Sequence, residues 1–366
     1  MKKAILKLKD GKEFSGIAFG APIKLECSEV VFNTGTPGYE EILTDPSYKG
    51  QIVTLTSPMI GNYGIAVKDG ESSGVKSTAL IIKKLYRGSV MKGRLSLDEY
   101  LKKEGIPALE AVDTRALTIH LREHGSQNGI LFYEEDRAEA EKKLESYPDI
   151  TKMDLIEQVT VTENIYNPEL GEGRTSPPSS PDMHFALIDY GLKRSIIENF
   201  YKRNIAVTLM KASTTAEDVL KLSPDCLFLS NGPGDPSLLK NAVALARECM
   251  GKIPVEGICL GHQIITLALG GKTVKMKFGH HGSNQPVKDM DTGKTFVTAQ
   301  NHGFMSDEKS LPSSVRIWMR NANDNTVEGL YDEKKKVYSV QFHPEAAPGP
   351  EDALWIFDYF KEKAKR

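Results

Sequence analysis

Gly257-Ile258-Cys259-Leu260-Gly261-His262-Gln263 sets a cysteine between two glycines, each two positions away, after one apolar run and before another. The run Ile253-Pro254-Val255-Glu256-Gly257-Ile258 reads as a strand. Ile264-Ile265-Thr266-Leu267-Ala268-Leu269 reads as the body of a helix ended by Gly270-Gly271. A sharp strand-to-helix turn pushes its central side chain out of the sheet, and flanking glycines let neighbouring backbone approach without a Cβ clash. The sulfur then lies near a helix N-terminus, where the positive end of the dipole favours thiolate, the form that attacks carbonyl carbon. Cysteines in general are more often buried structural residues. The glycine spacing favours a nucleophile elbow here.

Working outward, residues 185–188, 206–210, 227–230 and 255–258 read as strands, separated by helical patterns over 192–202, 216–222 and 239–249. Thr214 and Glu217 have the spacing of a capping box for the second of these helices. Strands alternating with helices imply a parallel sheet covered on both faces. From about Thr273 to Gln341 the pattern turns to strands, and Glu351 to Ala364 is amphipathic. The segment 164–182 is rich in Pro, Gly and Ser and is expected to form a linker without regular structure. Before it, Ala4 to Leu8 alternates into an Asp10-Gly11 turn, while 96–102 and 115–123 look helical. The expected fold class is therefore α/β, with an N-terminal mixed, β-rich domain over 1–163 and an α/β domain with a mainly parallel sheet over 183–366.

Two further stretches complete a chemistry. In Val340-Gln341-Phe342-His343-Pro344-Glu345 the side chains of His343 and Glu345 share a face if the strand stays extended, so the carboxylate can fix the imidazole tautomer. Such a pair supplies a base for the thiol and an acid for a leaving amine. Leu227-Phe228-Leu229-Ser230-Asn231-Gly232-Pro233-Gly234-Asp235-Pro236 is a strand running into a glycine-proline loop. Loops after neighbouring parallel strands meet at the carboxyl edge of the sheet, so the N–H groups of Gly232 and Leu260 are candidates for an oxyanion hole. The assembly implies acyl transfer through a thioester.

The GICLGHQ elbow, the NGPGDP loop and the FHPE element, in this order, resemble a class I (triad-type) glutamine amidotransferase domain. Asp189-Tyr190-Gly191-Leu192-Lys193, Gly279-His280-His281-Gly282 and Gln300-Asn301-His302-Gly303-Phe304 narrow the resemblance to the small, glutamine-hydrolysing subunits of carbamoyl phosphate synthetases. The N-terminal stretches Gly38 to Tyr48, Ser57 to Gly64 and Asp113 to Thr118 are similar to the same family. The resemblance implies Cys259 as nucleophile, His343 as base and acid, and Glu345 as orienting carboxylate. It implies glutamine binding by Ser47 from the first domain, Gly232, Gly234, Leu260, Gln263, Asn301, Gly303 and Phe304. It further implies that ammonia passes to a large synthetase subunit, which uses ATP, Mg and bicarbonate to make carbamoyl phosphate for arginine or pyrimidine synthesis, with no cofactor in this chain. A free-standing γ-glutamyl hydrolase would use a similar elbow without calling for this N-terminal domain, and a non-catalytic assembly subunit would lack a triad member. Glu256 stands where the family usually has an apolar residue, and Ser283 and Gln285 where it often has glycine and histidine.

Composition is compatible with these expectations. At 366 residues, the chain is long enough for two cores. A formal net charge of −2 gathers neither nucleic acid nor anionic membrane. The four cysteines lack CxxC pairing, and the start lacks a secretory apolar region, so a reducing cytoplasmic setting is expected. Gly270-Gly271-Lys272-Thr273 lacks the first glycine of a Walker A motif. His280 and His281 are adjacent and point apart, and no other ligand cluster stands at chelating spacing. A structural or substrate-wall role is expected for them, and no metal.

Overall fold

The computed structural model describes residues 2–365. Two compact units divide at Met153 and Asp154. In the N-terminal unit the strands β1 (Lys3–Leu8), β2 (Glu13–Gly20), β3 (Cys27–Asn33), β4 (Gln51–Leu55), β5 (Ala79–Ile81), β6 (Pro107–Glu110) and β7 (Gln127–Phe132) close into a barrel of order β1-β2-β6-β5-β4-β3-β7. The β1–β2 hairpin turns where Asp10-Gly11 foretold, with Gly11 at φ 91 and its N–H donating to Leu8 O. The run β3-β4-β5-β6 is parallel and the remaining pairs are antiparallel. Helices α1 (Tyr39–Thr44), α2 (Leu97–Glu104), α3 (Thr114–His124) and α4 (Arg137–Ser146) accompany it. α2 has matched ends: a Ser96–Glu99 capping box at its start and left-handed Gly105 at its close.

The second unit is built on a ten-stranded sheet. Its strands are β8 (Ile165–Tyr166), β9 (Met183–Asp189), β10 (Ile205–Lys211), β11 (Cys226–Leu229), β12 (Val255–Ile258), β13 (Lys272–Asp289), β14 (Thr295–Asp307), β15 (Arg316–Asn321), β16 (Val327–Asp332) and β17 (Val337–Val340). Their order is β14-β13-β15-β16-β17-β12-β11-β9-β10-β8. The run β17-β12-β11-β9-β10 is parallel, as the strand-helix alternation requires, and antiparallel strands extend it on both sides. Side chains alternate between two cores. Phe185, Leu187, Cys226 and Phe228 pack with α5 (Arg194–Tyr201) and α9 (Trp355–Lys363). Ala186, Ile188, Leu227 and Leu229 pack with α6 (Ala216–Lys221), α7 (Lys240–Cys249) and α8 (Leu260–Ala268).

The structure corrects two local expectations. The capping box of α6 is Thr215 with Asp218, one residue beyond the pair read from sequence, because this phase buries Ala216 and Val219. The segment 164–182 belongs to the second unit and is not structureless: Ile165–Tyr166 pairs with β10, Asn167 N–H donates to Val207 O at 2.7 Å, and Leu170 is buried in the core. Backbone pairing on the free side of β10 outweighs the Pro and Gly content. Among the described residues, no helix is long and apolar enough to cross a membrane.

Candidate active site

Strand β12 enters α8 through Cys259, whose backbone sits at φ 55, ψ −103, a region that side chains other than glycine rarely adopt. Such a conformation costs of order 1–3 kcal/mol and persists only where the surroundings enforce it. Two bonds do so: Cys259 N–H donates to Val340 O at 2.9 Å, and Gln263 N–H donates to Cys259 O at 3.1 Å. Gly261 permits the close packing behind the turn, since a Cβ there would lie 2.1 Å from Leu229 O. The sulfur is buried at the N-terminus of α8, 3.6 Å from Asn301 O.

His343 approaches from the end of β17, its N–H donating to Ala299 O at 2.8 Å. Its Nδ1 is 2.6 Å from Glu345 Oε1. The pairing is made across a turn, since the strand ends at Val340 and does not stay extended to Glu345. Lys193 completes a buried row: its Nζ donates to Glu345 Oε1 at 2.9 Å and to Ala346 O at 2.6 Å. Burial opposes the charge on Glu345. Lys193 and His343 outweigh it at Glu345 and hold that carboxyl down to about 2. Burial also opposes a charge on His343, yet Glu345 and Cys259 together raise the imidazole well above its ordinary value. Nε2 of His343 feels Cys259 and closes no hydrogen bond of normal geometry among the described residues, so it is the nitrogen available for proton exchange. The carboxylate fixes the tautomer from the other side.

The remaining sequence candidates fall into three groups. Gly232 presses on the residue after the nucleophile: a Cβ there would meet Tyr190 O at 2.1 Å and Leu260 Cδ2 at 2.9 Å. Gly234, at φ 89, turns the same loop. Gln263 Nε2 donates to Phe304 O at 3.0 Å and to Gln341 Oε1 at 3.1 Å, and Asn301 stands on the same strand as Phe304. Asn301 Oδ1 lies 2.8 Å from His281 Nδ1. At Gly303 an added Cβ would meet nothing within 4 Å, so the space beside this strand is open. Ser47 belongs to the N-terminal unit, on a short turn where its N–H donates to Asp45 Oδ1 at 2.8 Å.

Residues 186–363 match the glutamine amidotransferase class-I family, and residues 6–131 match the carbamoyl-phosphate synthase small chain, CPSase domain. The carbamoyl phosphate synthase small chain of Yersinia pseudotuberculosis is 48% identical across 99% of this chain and 95% of its own. That of Syntrophotalea carbinolica is 44% identical across 98% and 97%, and that of Archaeoglobus fulgidus 43% across 98% and 98%. The chain belongs to the carbamoyl phosphate synthase small chain family. It is an enzyme of that family, its amidotransferase subunit, with the class I amidotransferase domain in its second unit.

Against this background two features of the small chain were missed by sequence reasoning. Lys193 stands out in the sequence only within the family-like stretch Asp189 to Lys193. Its ion pair with Glu345 spans 152 residues, and a lysine opening a helix carries no local sign of burial. A spatial cluster around His280 is the second. His280, His302 and Glu328, on three different strands, bring ligand-type atoms within 4.8 Å of one another. Residues 22 and 26 positions apart cannot be recognised by chelate spacing; the pairing of β13 with β14 sets His280 opposite His302, and Glu328 comes from β16.

Proposed function

We propose that this small chain hydrolyses L-glutamine to glutamate and ammonia through a thioester on Cys259 and hands the ammonia to a large, ATP-using synthetase subunit. The observation that carries the reading is the buried row Lys193, Glu345, His343 ending at the strained cysteine. His343 Nε2 takes the Sγ proton, and the thiolate attacks the carboxamide carbon of glutamine. The oxyanion of the tetrahedral intermediate is placed against the N–H groups of Gly232 and Leu260. Collapse breaks the C–N bond, and His343 returns the proton to the departing nitrogen, releasing ammonia and leaving the thioester. Water, deprotonated by the same imidazole, then cleaves the thioester to glutamate and restores the thiol. Glu345, held by Lys193, keeps Nδ1 of His343 protonated and Nε2 free. Ser47, Gly232, Gly234, Leu260, Gln263, Asn301, Gly303 and Phe304 are assigned to glutamine recognition; an amino-acid zwitterion needs both acceptors and donors, which backbone groups and amides supply. The ATP, Mg and bicarbonate chemistry is assigned to the partner.

The test is Cys259→Ser in the reconstituted synthase. Glutamine-dependent carbamoyl phosphate synthesis should be abolished while synthesis from supplied ammonia is retained. Retained glutamine hydrolysis would remove the nucleophile assignment, and loss of both activities would remove the division of labour.

A further inference from the structure

Three strands of the second unit converge on one buried point. His280 stands on β13, between the two breaks in its register with β14. His302 stands on β14 and Glu328 on β16. The exposures of the three residues are 7%, 4% and 0%.

The hydrogen bonds on the far sides of the two rings decide which atoms face inward. His280 Nε2 lies 2.8 Å from Asp324 Oδ2, an acceptor, so the ring proton sits on Nε2 and the Nδ1 lone pair points to the cluster. His302 Nδ1 lies 2.9 Å from the carbonyl of Phe304, which can only accept, so Nε2 carries the inward lone pair. Glu328 Oε1 is 3.6 Å from His280 Nδ1 and 3.9 Å from His302 Nε2, and neither of its oxygens has a hydrogen bond of normal geometry among the described residues. The other polar atoms near the imidazoles are Gln300 Oε1, a further acceptor 3.3 Å from His302 Nε2, and Asn321 Nδ2, 3.4 Å from His280 Nδ1. Electron-rich atoms thus outnumber the donors at a buried point, an arrangement that a cation would relieve.

We propose that His280, His302 and Glu328 bind a divalent transition-metal ion, and that its ligand chemistry selects Zn²⁺. Two imidazoles and one carboxylate are the borderline donor set that zinc takes, whereas calcium and magnesium call for oxygen. Metal–ligand bonds of about 2.0–2.2 Å in a tetrahedron put ligand atoms about 3.3–3.6 Å apart, within a few tenths of an ångström of the spacing at Glu328. Asp324 behind His280 and the Phe304 carbonyl behind His302 are the outer partners that fix ring tautomer and orientation in such centres. The ion would tie β13, β14 and β16 together and steady Asn301 and Phe304, which flank His302.

The experiment uses the full-length chain carrying Cys259→Ser, so that zinc cannot be captured by the thiol. Calorimetric titration with ZnCl₂ and metal analysis after gel filtration should find one ion per chain held by this site. Glu328→Gln, which keeps the shape and removes the charge, should weaken that binding by about 100-fold or more, and Asp324→Asn by about 10-fold. Co²⁺ in place of zinc should give the visible bands of a tetrahedral nitrogen-oxygen site, absent in Glu328→Gln. If the chain retains no zinc, or Glu328→Gln and Asp324→Asn bind it as tightly as their parent, the site is a proton-bridged polar cluster and the proposal falls. Asp324 is partly exposed, so its variant gives a reading even if Glu328→Gln does not fold.

Discussion

Lys193 reaches Cys259 through Glu345 and His343, and this makes its contribution separable. Its charge lowers both Glu345 and His343. Lys193→Met should therefore leave glutamine KM nearly unchanged, reduce kcat by about 10- to 100-fold, and move the acidic limb of the kcat/KM profile to higher pH. A profile that stays in place would mean that the lysine only fills space. Within the triad, His343→Ala removes the proton carrier, whereas Glu345→Gln leaves an imidazole that is merely less well oriented. Steady-state kinetics should find the larger loss at His343. Glu345 also makes stability depend on pH. Its folded value is depressed, so its stabilisation is present above the ordinary value of 4.5 and is lost as pH falls through about 2. Cys259, His343 and Glu345 were legible because their motifs are contiguous or face a common turn. Lys193 was not, because only the folded sheet brings it to Glu345.

At the level of elements, β12 carries both the elbow and an anomaly. Glu256 lies between Phe228 and Tyr338 in the parallel register, fully buried, with neither oxygen hydrogen-bonded in normal geometry among the described residues. Burial pushes its carboxyl well above 4.5. The sign is opposite to that at Glu345: this group is least unfavourable below 4.5, and its cost grows as pH rises and the unfolded chain ionises. Glu256→Leu should raise stability at neutral pH by about 1–3 kcal/mol, or about 2–4 °C of melting temperature per kcal/mol for a unit of this size, and should flatten the pH dependence. Thermal unfolding at two pH values checks both. Gly261→Ala tests the close approach of α8 to β11: with backbone only 2.1 Å from the new Cβ, the helix must move. Loss of soluble protein or of at least about 2 kcal/mol is expected. The existence and type of these elements could be read from periodicity, but the phase of a cap could not. Thr214 and Thr215 both precede an acidic residue by three, and core burial on α6 chose the second.

For the whole molecule, the proposed division of labour has a kinetic signature. A subunit whose ammonia is consumed elsewhere should release glutamate slowly when alone, and faster by about 5- to 150-fold when the large subunit, ATP and bicarbonate are present. Glutamate assays with and without the partner measure this, and a rate that is already high and indifferent to the partner would describe an autonomous hydrolase. The division of the chain into two units was legible from composition, but the boundary was not: pairing between backbone groups carried 164–182 into the second unit against its own composition. The N-terminal unit has one further property. Because β1 pairs with β7, its barrel closes without an edge strand among the described residues. An extended peptide cannot join it as an extra strand, and two copies cannot seed a fibril rim to rim. Whatever docks on that unit must recognise side chains and loops, so its specificity lies in surface chemistry that substitution can retune while the ladder beneath stays intact.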